Sequence, residues 1–166
     1  MRLKVGAATS IGRVRPINED AYLAHVGDSR AYLCDDTGLA ALTTDHSLVE
    51  AQVQAGLIDR EQSLKSEQQN ILLRALGRDP DVQVELSESV VGDGDRLLLC
   101  SDGLTRVVSD DRLAAALQRF AGAPQACCDY LVDAANDAGG PDNITVVVVE
   151  VQGTGWRDVV RRVLRF

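Results

Sequence analysis

The chain has 166 residues, a formal charge of -8 and 45% hydrophobic residues, which fits one globular domain around one core and leaves no room for two. The acidic balance argues against nucleic acid as a partner, because a phosphate backbone is held by Lys and Arg, and divalent cations suit it better. No stretch approaches the roughly 20 apolar residues of a bilayer span, and the N-terminus enters a strand-like segment rather than a signal-peptide core, so no membrane span and a cytoplasmic location are expected.

Short strands between turn signals are predicted over residues 3–8, 21–26, 31–33 and 39–42, the last two joined by Asp35-Asp36-Thr37-Gly38. Ser47 with Glu50 three residues on has the form of a capping box, and Gly56 supplies a left-handed stop, so a helix is expected over 48–55. Asp59 with Gln62 repeats that pattern for a second short helix, and a third is expected over 70–76. Strands follow at 82–86 and 96–100. The run Leu97-Leu98-Leu99 is apolar at both parities, as in a strand buried on two faces. Asp110 opens a helix through Phe120, and Pro124 sits in the first turn of another that Gly139-Gly140 stops. A second continuous apolar strand spans 144–151.

Strands and helices interleave without the regular rhythm of a parallel sheet, so the expected class is α+β, an antiparallel sheet covered by helices. The domain is placed at 1–152. With Gly153-Thr154-Gly155 as a hinge, residues 153–166 are expected to form a basic amphipathic C-terminal helix, with Trp156, Val159, Val160, Val163 and Leu164 opposite Arg157, Arg161, Arg162 and Arg165. Cys34, Cys100, Cys127 and Cys128 form no CxxC pair and read as reduced, structural residues. Asn143-Ile144-Thr145 has the form of a glycosylation sequon, which without a secretion signal is set aside.

Asp102 follows one buried strand and Asp142 precedes the other, so antiparallel pairing of the two brings both carboxylates to one end of the sheet. Glu19 and Asp20 precede the strand at 21–26, and Asp28 precedes that at 31–33, so a similar argument can bring them there. Oxygen donors gathered without Cys favour a hard ion, Mn2+ or Mg2+, over zinc. Taken singly, each segment also has a plain reading. Asp102-Gly103 can be a turn, Asp142-Asn143 an Asx turn, and Gly27-Asp28-Ser29-Arg30 a loop held by a local Asp–Arg contact.

Taken together and in order, the segments resemble the motifs of the metal-dependent type 2C serine/threonine protein phosphatases. Val14-Arg15-Pro16-Ile17-Asn18-Glu19-Asp20 is similar to that family's opening motif. Gly27-Asp28-Ser29-Arg30-Ala31-Tyr32-Leu33, Thr44-Asp45-His46-Ser47, Leu99-Cys100-Ser101-Asp102-Gly103-Leu104-Thr105 and Gly139-Gly140-Pro141-Asp142-Asn143-Ile144-Thr145-Val146 are similar to its later blocks. The resemblance implies a type 2C phosphatase-like sandwich in shortened form. Asp102 and Asp142 become direct metal ligands, Asp28 helps hold a further ion, and Glu19 and Asp20 bind metal-bound waters. Arg15 grips the phosphate, to which its planar fork is matched. Asn143 orients the neighbouring carboxylate. The implied reaction is hydrolysis of a phosphoester by a metal-activated water, without a covalent enzyme intermediate.

One family element is missing. Where members carry a strand ending in Asp-Gly-X-Gly-Gly followed by helices and another strand, Ala24 here leads straight into His25-Val26-Gly27-Asp28. The lost Asp bridges both metals in the family, and the lost stretch can supply a His proton donor, for which His46 is the nearby candidate replacement. The leading expectation is an active hydrolase with a reduced metal site, acting on a phosphoprotein, a small aryl phosphate or a diester. The alternatives are a catalytically inactive binding or regulatory module and one half of a site completed by another chain. A homodimer is expected, because the missing layer leaves apolar sheet in need of cover.

Overall fold

A computed structural model describes residues 20–152. The strands are β1 (Asp20–His25), β2 (Arg30–Asp35), β3 (Gly38–Ala41), β4 (Glu85–Val90), β5 (Arg96–Cys100) and β6 (Val146–Glu150). The helices are α1 (Leu48–Gln54), α2 (Arg60–Leu64), α3 (Asp102–Thr105), α4 (Asp110–Arg119) and α5 (Pro124–Asp137). One antiparallel sheet has the order β3-β2-β5-β6, and β1 and β4 pair separately as a two-stranded ribbon. The α+β class expected from the sequence is the one observed. The segments expected at 3–8 and 153–166 lie outside the described residues.

Antiparallel register sorts the side chains of the four-stranded sheet onto two faces. Tyr32 lies opposite Leu98, which lies opposite Val148. This row turns towards the helices. There Leu113, Ala116 and Leu117 of α4, spaced at i, i+3 and i+4, and Cys127, Leu131, Ala134 and Ala135 of α5 close the core with Leu104 and Val108. Fully burying an aliphatic side chain of this kind is worth about 1.5–3 kcal/mol, so this face carries the domain's stability.

The other face departs from expectation. The run 97–99 reads as buried on both sides, yet Leu98 is 0% exposed whereas Leu99 is 37% exposed, with Val147 at 49% and Val149 at 44% in the same row set. Among the described residues, helices cover one side only. The opposite side opens onto a cleft of about 500 Å3 shared with β1, with Leu23, His25, Val26, Leu99 and Val147 among its walls. The apolar run therefore records a strand built for two covers, one of which is absent among the described residues.

Two further elements differ from the sequence reading. The strand expected at 82–86 forms at Glu85–Val90, because pairing with β1 runs from His25 opposite Glu85 to Asp20 opposite Val90. The helix expected over 70–76 does not form. Its backbone is taken up by the segment before α1: Leu48 N–H donates to the Ile71 carbonyl at 2.8 Å and Leu73 N–H to the His46 carbonyl at 2.8 Å. Asp59 with Gln62 makes the complete capping box expected, whereas at Ser47 only half of one forms: Ser47 Oγ accepts from Glu50 N–H, while the Glu50 carboxylate pairs with Arg60.

Candidate metal site at the carboxylate end of the sheet

Arg30 opens β2 opposite Cys100, the last residue of β5, which in turn lies opposite Val146, the first of β6. The connections preceding β2 and β6 and following β5 consequently emerge at one end. Asp28, Asp102 and Asp142 occupy those connections.

Each carboxylate is positioned by local backbone geometry. Gly27 turns the chain with φ 113°, in the left-handed region that suits glycine. The turn is braced by His46, whose backbone N–H donates to the Gly27 carbonyl at 2.8 Å while its Nδ1 accepts from Gly27 N–H at 3.2 Å. Asp102 stands in the first turn of α3, with Ser101 at the N-cap position but its hydroxyl turned away from the helix. Ser101 ties this turn to the next strand: its Oγ donates to the Asn143 carbonyl at 3.0 Å and accepts from Thr145 N–H at 3.0 Å. Gly103 is packed so closely on the connection leading into β6 that a Cβ there would stand 2.3 Å from the Asn143 carbonyl oxygen. Asp142 is fixed in turn, since Asn143 N–H donates to its Oδ1 at 2.8 Å. The orienting contact thus comes from the backbone of Asn143.

Like charge accumulates here. Burial, followed by the negative charge of Asp102, raises the Asp28 carboxyl above its ordinary value, with Asp45 adding to the rise and Arg106 opposing it. The Asp28–Arg30 contact that a plain loop reading supplies is not made. Arg30 instead forms a two-pronged pair with Asp45, Nε–Oδ1 2.8 Å and Nη2–Oδ2 2.8 Å, so Asp28 faces the carboxylate end without it.

Arg106, which sequence reasoning passed over, is the cation of this cluster. Its Nη2 lies 2.5 Å from Asp102 Oδ2 and its Nη1 lies 3.8 Å from Asp142 Oδ2. The signal was available as the i,i+4 spacing from Asp102, but it required knowing that Asp102 begins a helical turn.

The structure brings together Asp28, Asp102 and Asp142. Asp20 opens β1 and so stands at the opposite end of that strand from His25 and the Gly27 turn. Arg15 and Glu19 lie outside the described residues. His46 does not point its nitrogens at the carboxylates: Nδ1 is taken by Gly27 N–H, and Nε2 lies 2.9 Å from Glu85 Oε2 and 3.3 Å from Arg74 Nη1. It serves as a brace rather than as a replacement proton donor.

The donor set fits a hard divalent ion. It is all oxygen, partly open to water with Asp102 25% and Asp142 47% exposed, and it crowds negative charge that a cation relieves. A second group, His25, His46 and Glu85, has ligand atoms within 4.8 Å of one another. Its histidines are buried and Glu85 is partly exposed; His46 is committed to the brace, whereas neither ring nitrogen of His25 has a hydrogen-bond partner among the described residues.

A family model described as Stage II sporulation protein E (SpoIIE) matches residues 5–152. The serine/threonine phosphatase stp of Listeria welshimeri serovar 6b is 38% identical over 145 residues, covering 87% of this chain and 57% of that protein. The crystal structure of the Mycobacterium tuberculosis serine/threonine phosphatase PstP/Ppp superposes with a TM-score of 0.75 at 38% identity, over 81% of this chain and 56% of that one. The catalytic domain of PstP in complex with two manganese ions gives 0.72 at 38% identity, over 81% and 55%. The chain spans little more than half the length of these relatives.

Proposed function

From the premise that this chain belongs to the SpoIIE and type 2C serine/threonine phosphatase family, we propose that it is a metal-dependent phosphoester hydrolase working at the Asp28–Asp102–Asp142 end of its sheet. The observation that carries the reading is the meeting of Asp102 and Asp142, from two separate connections, at a single guanidinium, at the same end of the sheet as Asp28. The ion is Mn2+ or Mg2+, as the oxygen donors favour and as the manganese-bound relative supports.

Asp102 and Asp142 hold the ion, with Asp142 presenting Oδ2 because Asn143 N–H occupies Oδ1. Asp28 extends the donor set. On the family resemblance alone, Glu19 binds water around the ion and Arg15 grips the phosphate, whereas the same role for Asp20 is at odds with its place at the far end of β1 from the Gly27 turn. Bound there, a divalent ion supplies charge neutralisation at the phosphoryl oxygens and a more acidic water. Without a committed proton donor, the site favours leaving groups that need little protonation, so small aryl phosphates, and diesters admitted by the shorter frame, join phosphoproteins as substrates. The test is hydrolysis of an aryl phosphate in EDTA and after adding Mn2+: activity should vanish and return. Full activity in EDTA rules the reading out.

Two further properties belong to this reading. A cytoplasmic location is supported by free cysteines, three of them buried; among the described residues no helix is long and apolar enough to cross a membrane. A homodimer is supported by the uncovered face at Leu99, Val147 and Val149. Light scattering on the eluting protein should give twice the 17.8 kDa chain mass, and a mass near one chain at micromolar concentration removes the dimer.

A further inference from the structure

We propose that Arg106 is a built-in counter-cation which lies between Asp102 and Asp142 and has to withdraw before a divalent ion can engage both; this rests on the metal-site reading above.

An i,i+4 ion pair on a helical turn is by itself a common surface contact. The second arm of Arg106 makes this one different. One terminal nitrogen meets Asp102 and the other faces Asp142, a residue of another connection 40 positions further along the chain, being 142 minus 102. A planar, permanently charged fork with a donor for each carboxylate is a good organic substitute for an ion between them.

The surroundings decide which part moves. The backbone of Arg106 is tied down, its N–H donating to the Asp102 carbonyl at 3.0 Å. The turn carrying Asp102 cannot slide, because Gly103 rests on the Asn143 carbonyl and Ser101 clamps both Asn143 and Thr145. Asp142 is held through Oδ1. What remains free is the Arg106 side chain, which is 28% exposed and has rotamers leading to water. A metal ion and the guanidinium therefore compete for the same two carboxylates. The apparent metal affinity is lowered by the fraction of molecules in which Arg106 is in place. The same contact keeps the carboxylates together when no ion is bound.

The test is calorimetric titration of the full chain, stripped with EDTA and exchanged into buffer, with MnCl2, alongside Arg106→Ala, Arg106→Gln and Arg106→Lys. Removing one positive charge a few ångströms from the ion should tighten Mn2+ binding about tenfold or more in the Ala and Gln variants. Lys should fall between them and the parent, because it keeps the charge and loses the fork. Metal-free Tm should fall in Ala and Gln, and the rise in Tm on adding Mn2+ should grow. Gln, close in size and uncharged, keeps the test open should Ala not fold. Unchanged or weaker binding in the folded Ala or Gln variant overturns the inference. Parent binding lost in Asp102→Ala and Asp142→Ala, together with unchanged Arg106 variants, removes the role of Arg106 and leaves the metal site standing. Parent binding that survives both Asp changes removes the metal site itself. Binding gained only when Arg106 is replaced supports the inference.

Discussion

His25 and Asp28 flank the same Gly27 turn, three residues apart, yet they belong to polar clusters that are handled in opposite ways. On the histidine side both rings are nearly inaccessible, at 8% exposure each, and lie 4.7 Å apart between centroids. His46 has a partner at each nitrogen, so its orientation is spent on holding the turn. On the carboxylate side the groups stay partly in water and their counter-charge sits on a long side chain. Burial, with the hydrogen bonds of His46, fixes the histidine cluster in place. Partial exposure with a removable cation leaves one able to answer an ion.

The sharpest way to break this contrast is to exchange the consequences of mutation. Asp102→Ala or Asp142→Ala should lower kcat/KM for aryl phosphate hydrolysis at saturating Mn2+ by two orders of magnitude or more, since each leaves the ion under-coordinated. Their effect on folding should be small. His46→Ala should do the reverse, keeping Mn2+ dependence in the folded fraction while lowering stability in urea by about 1–3 kcal/mol, the usual cost of leaving a buried donor such as Gly27 N–H unpaired. A His46 variant as inactive as the Asp variants, yet equally stable, would place the histidine cluster in the chemistry.

The smallest effect is on the pH dependence of stability. Burial, then the neighbouring His46, lowers the pKa of His25 below its ordinary 6.5, while the Ser29 backbone, Glu85 and Asp45 pull the other way. Neither ring nitrogen of His25 makes a hydrogen bond of good geometry among the described residues. With the folded value below the unfolded one, the unfolded chain takes up the proton first as pH falls. Stability is therefore whole above about pH 6.5 and is lost as pH falls from there towards the folded value. The slope from this group is at most about 1.4 kcal/mol per pH unit. Urea midpoints at pH 7.5 and 5.5 should differ in that direction, and less so in His25→Gln; an equal difference in both proteins assigns it to other groups.

Much of the carboxylate end was legible in the sequence, because Asp102 and Asp142 sit at the margins of apolar strands and antiparallel pairing dictates that such margins meet. The caps at Ser47 and Asp59 were legible for the same reason, being local chemistry within four residues. What escaped was decided by distant partners. The third short helix lost to bridging between Ser47 and Leu72. The fourth strand moved three residues along to match β1. Arg106 belongs to this class too, since only the helical turn after β5 and the approach of β6 bring it to both acids. The one-sided burial of β5 was hidden differently: Leu97-Leu98-Leu99 still spells a strand with two covers, and composition cannot register that one is absent among the described residues.

The Ser101 clamp has a consequence of another kind. It joins the end of β5 to the start of β6, and the chain between them makes an excursion through α3, α4 and α5 before returning. That excursion is a loop closed at its base, and loop-closure entropy grows only slowly with length. Insertions between α4 and α5, around Gly122, should thus be absorbed cheaply, whereas residues added at 102 or 142 would unseat the base itself. In a lineage of related chains the helical hairpin is free to lengthen and diversify, while its two anchoring residues are bound to a fixed separation in space.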